Sequence, residues 1–228
     1  MIIMSTLLSI LITIGVYALS RVAGGKYPSP FTTPVFFSTT IIILLLLATG
    51  TPYERYEPAK DIITYLLGPA TVALAVPLYK KRKIIMKYSI TAGIGLFLGS
   101  ISTILSVIWI AKAFELTDTI IASISVKSAT VPIAVEVSEM IYGDVSLSAI
   151  FVVATGIIVG MVGPWFLTLT KITDPLSRGL SMGTIAHGQG TAEIAREGQL
   201  QGAMAGIAMG LAAILTSVIV PIVVLYLL

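Results

Sequence analysis

Residues 119–142 read TIIASISVKSATVPIAVEVSEMIY, and the fold turns on how this stretch is understood. It is long and apolar enough to resemble a membrane span. Lys127 nevertheless sits several residues from either end, and Pro132 interrupts the run. A lysine in hydrocarbon costs about 2.5–3.5 kcal/mol on insertion scales. Proline removes a backbone donor and pushes the residue before it out of the helical region. Backbone groups freed in this way find no water in lipid, so a break persists only where protein packs around it or a polar cavity receives it. The spacing predicts a helix broken at Lys127-Ser128-Ala129-Thr130-Val131-Pro132. Whether the run crosses the membrane or turns back is left open.

The rest of the chain sets the context. Of its 228 residues, 56% are hydrophobic and 11% are charged, and the mean hydropathy is +1.00. A soluble domain carries about 25% charged residues to wet its surface, so most of this exterior faces something other than water. Apolar runs cover residues 2–20, 34–48, 62–79, 88–111, 119–142, 146–170 and 202–228. Runs of about 20 residues match a hydrocarbon core about 30 Å thick. The expectation is an all-α, polytopic helical membrane protein with broken or re-entrant helices. It is read as a single transmembrane domain over residues 1–228, in the inner (cytoplasmic) membrane, with membrane lipid as its surroundings. Residues 51–58 read as a polar loop. Residues 178–200 are glycine-rich and too polar for a simple span, which suggests a re-entrant or surface segment near 179–200. The first run lacks a basic leader and reads as a retained helix. Lys80, Lys81, Arg82, Lys83 and Lys87 form a basic cluster that anchors the chain on the cytoplasmic side. Counting backward from it puts the N-terminus outside.

The composition also excludes several chemistries. The chain has no cysteine and one histidine, so disulfides, thiolate metal sites and multi-histidine centres are ruled out within one chain. No nucleophile–base–acid set and no phosphate-binding glycine loop is visible. Neither an enzyme nor a cofactor is expected. The basic cluster flanks a membrane helix, so nucleic acid is not an expected partner.

Three segments carry candidate chemistry. The first is Gly68-Pro69-Ala70-Thr71, where a half-helix beginning after the break would aim free N–H groups and a positive dipole end at an anion. Pro69 and Thr71 are its candidate residues, and a plain proline kink is the competing reading. The second is the broken stretch itself, with Lys127, Ser128, Thr130 and Pro132 as an anion site. A lysine that snorkels to the surface is the alternative. Glu136 lies beyond the break and is a candidate to pair with Lys127 or carry a proton; equally, Glu136 and Glu139 mark the aqueous end of the helix. The third is Gly183 to Glu193, around His187. Gly188 and Gly190 permit close backbone approach, and Thr191 is a candidate cap for a following helix. His187, Gly190 and Thr191 are read as substrate-binding, with His187 a second candidate for proton coupling. An ordinary histidine in a polar loop is the alternative. Ala70–Val76 also echoes Ala129–Val135 at five of seven positions, which raises an internal repeat of the kind that builds transporters.

These three motifs resemble the LrgB/CidB family. The likeness rests on Leu67-Gly68-Pro69-Ala70-Thr71-Val72-Ala73-Leu74 with Pro77-Leu78-Tyr79, on Lys127 to Ala134 with Ser138, and on Ser181-Met182-Gly183 through His187, Gly190 and Thr191. The family pattern has Ser/Thr before the histidine and two glycines after the second motif. Here Ala186 and Tyr142-Gly143 stand in those places. The resemblance implies one of two roles. Some relatives are antiholin-like regulators of murein hydrolase activity and autolysis, paired with a smaller LrgA/CidA-type membrane protein. Others are similar to pyruvate uptake components or to the plastid glycolate/glycerate translocator. The first role implies a holin-like lesion or a scaffold. The second implies transport of a small monocarboxylate, the reading that a buried lysine and hydroxyls at the breaks favour. Either role implies a separate LrgA/CidA-type partner, and a homo-oligomer is expected.

Overall fold

The computed structural model describes residues 2–27, 29–66, 69 and 75–227. All regular structure among them is helical. The chain forms two compact units, Met1–Leu74 and Ala75–Leu228.

In the first unit α1 (Ile2–Lys26) packs against α2 (Pro34–Ala48) and α3 (Tyr53–Tyr65). A 3-10 turn, Pro30–Thr32, precedes α2 and is closed by reciprocal bonds between Ser29 and Thr32. The Thr13 hydroxyl meets the Tyr56 hydroxyl at 2.9 Å and joins α1 to α3. The polar stretch after residue 51 is a helix from Tyr53, not the expected loop. Pro52 sets its start and Glu54 lies in its first turn, where a carboxylate is favoured by the dipole. The expected third span, 62–79, falls partly outside the described residues. So does the first copy of the Ala-Thr-Val echo.

The second unit begins with α4 (Ala75–Lys87) and α5 (Ser89–Ala113). Two short helices follow, α6 (Asp118–Ser125) and α7 (Val131–Met140). Then come α8 (Val145–Leu169), α9 (Pro175–Ile194) and α10 (Gln199–Leu227). Among the described residues four helices are long and apolar enough to cross a membrane: Met4–Lys26, Ser89–Ala113, Val145–Leu169 and Gln199–Leu227.

The run at 119–142 is not a span. Its two helices have 8 and 10 residues, so they rise about 12 and 15 Å, each about half of the hydrocarbon thickness. Both open on the same face. Asp118 and Thr119 at one end, and Met140, Ile141 and Tyr142 at the other, line one groove with Pro221 and Val224 of α10. The Asp144 N–H donates to the Ser123 hydroxyl at 2.7 Å across the mouth. The chain therefore enters, turns at 126–130 and leaves again. This is hairpin 1.

A second hairpin lies in α9. Its helical path breaks at His187, with φ 42 and ψ −131. Arg178 and Glu197 are 19 residues apart, which a straight helix would separate by about 28 Å. Their side chains instead bond at 2.7 and 2.5 Å. Met182 and Ile194 likewise share one apolar cluster with Leu167 and Ala205. Residues 175–186 run in, and 188–194 run back out. The mouth of hairpin 2 lies at the end of α8 and the start of α5: Arg178 bonds Pro164 O and Ile172 O, and Tyr88, Thr91 and Ala92 share a groove with Asp174, Ser177 and Leu180. Hairpin 1 opens at the opposite ends of both helices. The two hairpins thus enter from opposite faces.

Candidate functional site

Helix α5 brings the hairpin tips within about one turn of each other, and α8 touches both hairpins. On α5, a Cβ at Gly99 would touch Thr184 of hairpin 2. One turn further along, Thr103 bonds Lys127 of hairpin 1. On α8, Ser148 bonds hairpin 1 through Ser138. One turn further along, the Val152 carbonyl accepts from His187 of hairpin 2. One helical turn rises about 5.4 Å, and Thr103 stands near the middle of α5. The Gly99–Thr103 turn therefore lies near mid-membrane, and the Ser148–Val152 turn lies in the first third of α8.

At tip 1, Lys127 is half-buried. Its ammonium donates to the Thr103 hydroxyl at 2.7 Å and to the Ser128 hydroxyl at 3.2 Å. Ser128 and Thr103 also contact each other at 3.3 Å. Among the described residues no carboxylate pairs with Lys127. An ammonium carries three donors, so one remains after the two hydroxyls. Four residues later α7 begins. Thr130 holds the cap position with φ −79 and ψ 152, but its hydroxyl makes no capping bond. The N–H groups of the first turn therefore keep their partial positive charge uncapped. Pro132, in that first turn, has no N–H to leave unpaired and is exposed.

At tip 2, His187 is 6% exposed. A carbonyl can only accept, so the contact of Nε2 with Val152 O at 3.0 Å puts the proton on Nε2. Its φ of 42 lies where residues with a Cβ are strained, at a cost of about 1–3 kcal/mol. Thr191 does not cap a new helix, contrary to expectation. The return limb has already started, and the Thr191 hydroxyl donates back to His187 O at 2.8 Å. Gly190 lies against Ala186 and the Met182 carbonyl, leaving no room for a side chain between the limbs. Gly156 of α8 makes space for Gln189 and His187 in the same way. The Gln189 Oε1 is buried without a partner.

Pro69 is exposed and belongs to the first unit, and Thr71 lies outside the described residues. Glu136 is exposed on α7 and makes no ion pair with Lys127. Glu193 pairs with Arg196 at 2.8 Å.

Three groups escaped the sequence reading. Thr103 is a lone hydroxyl on an apolar helix and carries no local signal. Gln189 stood within the glycine-rich segment but was not singled out. Arg178 and Glu197 carry no local signal of their pairing, although Arg178 is 7% exposed.

Long apolar helices flanking two opposed re-entrant hairpins define a multi-pass membrane protein with irregular backbone at its centre. The chain belongs to the LrgB-like family, whose model matches residues 13–226. It is similar to the uncharacterized protein YwbG of Bacillus subtilis (strain 168), with 33% identity over 199 residues, covering 87% of this chain and 88% of the relative. No solved structure matches.

Proposed function

We propose that the hairpin tips form a transport site for a small monocarboxylate of the pyruvate, glycolate or glycerate type. The supporting observation is Lys127: an ammonium near mid-membrane, held by two hydroxyls and no carboxylate, beside the uncapped start of α7. A carboxylate placed there supplies the missing negative charge and takes the third ammonium proton. It also takes the free N–H groups of the first turn. Backbone broken at membrane depth, with half-helix ends facing the substrate, is how transporters coordinate anions. Thr130 and Ser128 add hydroxyls for the rest of a small acid.

The orientation follows from charge. The basic cluster at 80–87, with Lys171 and Arg196, gathers at the face where hairpin 2 opens. Lys112 stands at the other face. The positive-inside rule puts the hairpin 2 face in the cytoplasm, with hairpin 1 opening outward. A separate LrgA/CidA-type membrane protein and self-association belong to the same proposal.

The test is uptake of labelled pyruvate or glycolate by proteoliposomes, with and without the smaller partner. The proposal expects saturable uptake with no leakage of a trapped dye. Dye leakage without saturation would support the antiholin-like alternative, in which copies assemble laterally. No flux under any condition would support a regulatory scaffold.

A further inference from the structure

Hairpin 2 is fastened unevenly. At its mouth Arg178 uses all five N–H donors: two to Glu197, one to Thr168, and one each to the carbonyls of Ile172 and Pro164. At its tip one side-chain bond, from His187 Nε2–H to Val152 O, holds the turn against α8. The residue that makes this bond is also the one with φ 42. Glycine would take that conformation without strain. What histidine adds is the reach to Val152. Beside it, Gln189 rests on Gly156 with its Oε1 unpaired, so the contact of the tip with α8 is incomplete. Tip 1 differs on each point. No residue from 126 to 130 has positive φ. Two of its residues meet Thr103, and Val126 and Ala129 are buried in the largest apolar cluster.

We propose that hairpin 2 is the moving gate of the site, hinged at His187 and latched by the His187–Val152 bond. Release of that bond relaxes the joint and carries residues 187–191 off α8, opening the site toward the face where hairpin 2 enters. Hairpin 1 stays fixed. The proposal rests on the transport reading for its purpose, but its test reads the position of the tip and no flux.

The chain has no cysteine, so single thiols report on an otherwise natural background. Thr191→Cys marks tip 2, where the side chain is 1% exposed in the latched state. Thr130→Cys marks tip 1. Each is labelled in proteoliposomes with a membrane-impermeant maleimide. Adding His187→Ala, which keeps the Cβ and its strain but loses the bond, is expected to speed labelling at 191 about tenfold, the upper effect of one lost hydrogen bond on an opening equilibrium. Labelling at 130 should change less than about twofold, within the scatter of independent sites. His187→Gln keeps a side-chain N–H donor and is expected to restore slow labelling at 191. Unchanged labelling at 191 in His187→Ala would overturn the latch. Equal acceleration at both thiols, or a large drop in melting temperature with both exposed, would overturn it too, because the bond would then hold the whole fold and not a gate.

Discussion

Hairpin 1 and hairpin 2 are similar in length and enter from opposite faces, yet different forces hold them. Hairpin 1 is enclosed by apolar packing. Ile121, Ala122, Val126, Ala129, Ala134 and Val137 share one cluster with Ile104 and Ile108 of α5 and Val220 of α10. Hairpin 2 has a small cluster of its own, with Leu167, Met182, Ile194 and Ala205. It lies instead on bare backbone: a Cβ at Gly179 would strike the Gln201 carbonyl, and one at Gly183 would strike Ala205. Small residues let helices approach closely in lipid, where no hydrophobic force drives them together. On the proposed reading the comparison separates two tasks: hairpin 1 carries the charge, and hairpin 2 carries the movement.

The largest effect tests that division directly. Lys127→Ala removes the ammonium at tip 1, and uptake is expected to fall at least about 30-fold, since truncating one partner of a buried charged contact costs about 2–5 kcal/mol. Insertion and melting temperature should hold, because Lys127 bonds only hydroxyls. Normal uptake by this variant would remove the anion site from hairpin 1.

Arg178→Ala attacks the mouth of hairpin 2. Breaking a buried pair by removing one partner costs about 3–5 kcal/mol. The Glu197 side chain is 30% exposed and keeps some water, which points to the lower end, about 3 kcal/mol. Thermal unfolding in detergent measures it. A loss below about 1 kcal/mol, the range of a surface pair, would mean that packing and not the clamp fixes the mouth.

Gly183→Ala adds one methyl where limb 1 of hairpin 2 meets the Ala205 backbone. Overpacking of this kind costs about 1–3 kcal/mol. Gly188→Ala is the matched control, with only the Met209 sulfur nearby at 3.8 Å, and it should leave melting unchanged. Equal effects from the two would erase the distinction between a packed limb and a free tip.

What was legible in the sequence follows the same division. The long apolar helices were legible because hydrophobic length is a local property, and the matched family confirms the membrane class. The break at Lys127–Pro132 was legible too, because a proline and a lysine announce it. Its direction was not: the partner that fixes the turn, Thr103, lies 24 residues upstream on another helix. At hairpin 2 the glycines at 188 and 190 flagged the neighbourhood, but the joint falls on the histidine between helical limbs. Strain at a residue with a Cβ exists only once the surrounding contacts impose it, so no local pattern records it. The pairing of Arg178 with Glu197 was invisible for the same reason, since it requires the chain to fold back first.

The smallest effect concerns the polar contacts of hairpin 1. Ser148 donates to Ser138 at 2.7 Å and lies 3.2 Å from the Ser123 carbonyl. All three serines are fully buried. Side-chain hydrogen bonds between membrane helices average about 0.6 kcal/mol in double-mutant cycles, because the unfolded chain in lipid also finds partners. Ser138→Ala, Ser148→Ala and the double variant should therefore show a coupling of about that size, with uptake kinetics unchanged. The apolar cluster around Ile121 and Val137 remains in all three variants and carries most of the hold. A coupling above about 2 kcal/mol, beyond the largest value of that series, would show that hairpin 1 depends on a polar network. Both hairpins would then be fastened by the same kind of force, and the assignment of stillness to one and motion to the other would rest on His187 alone.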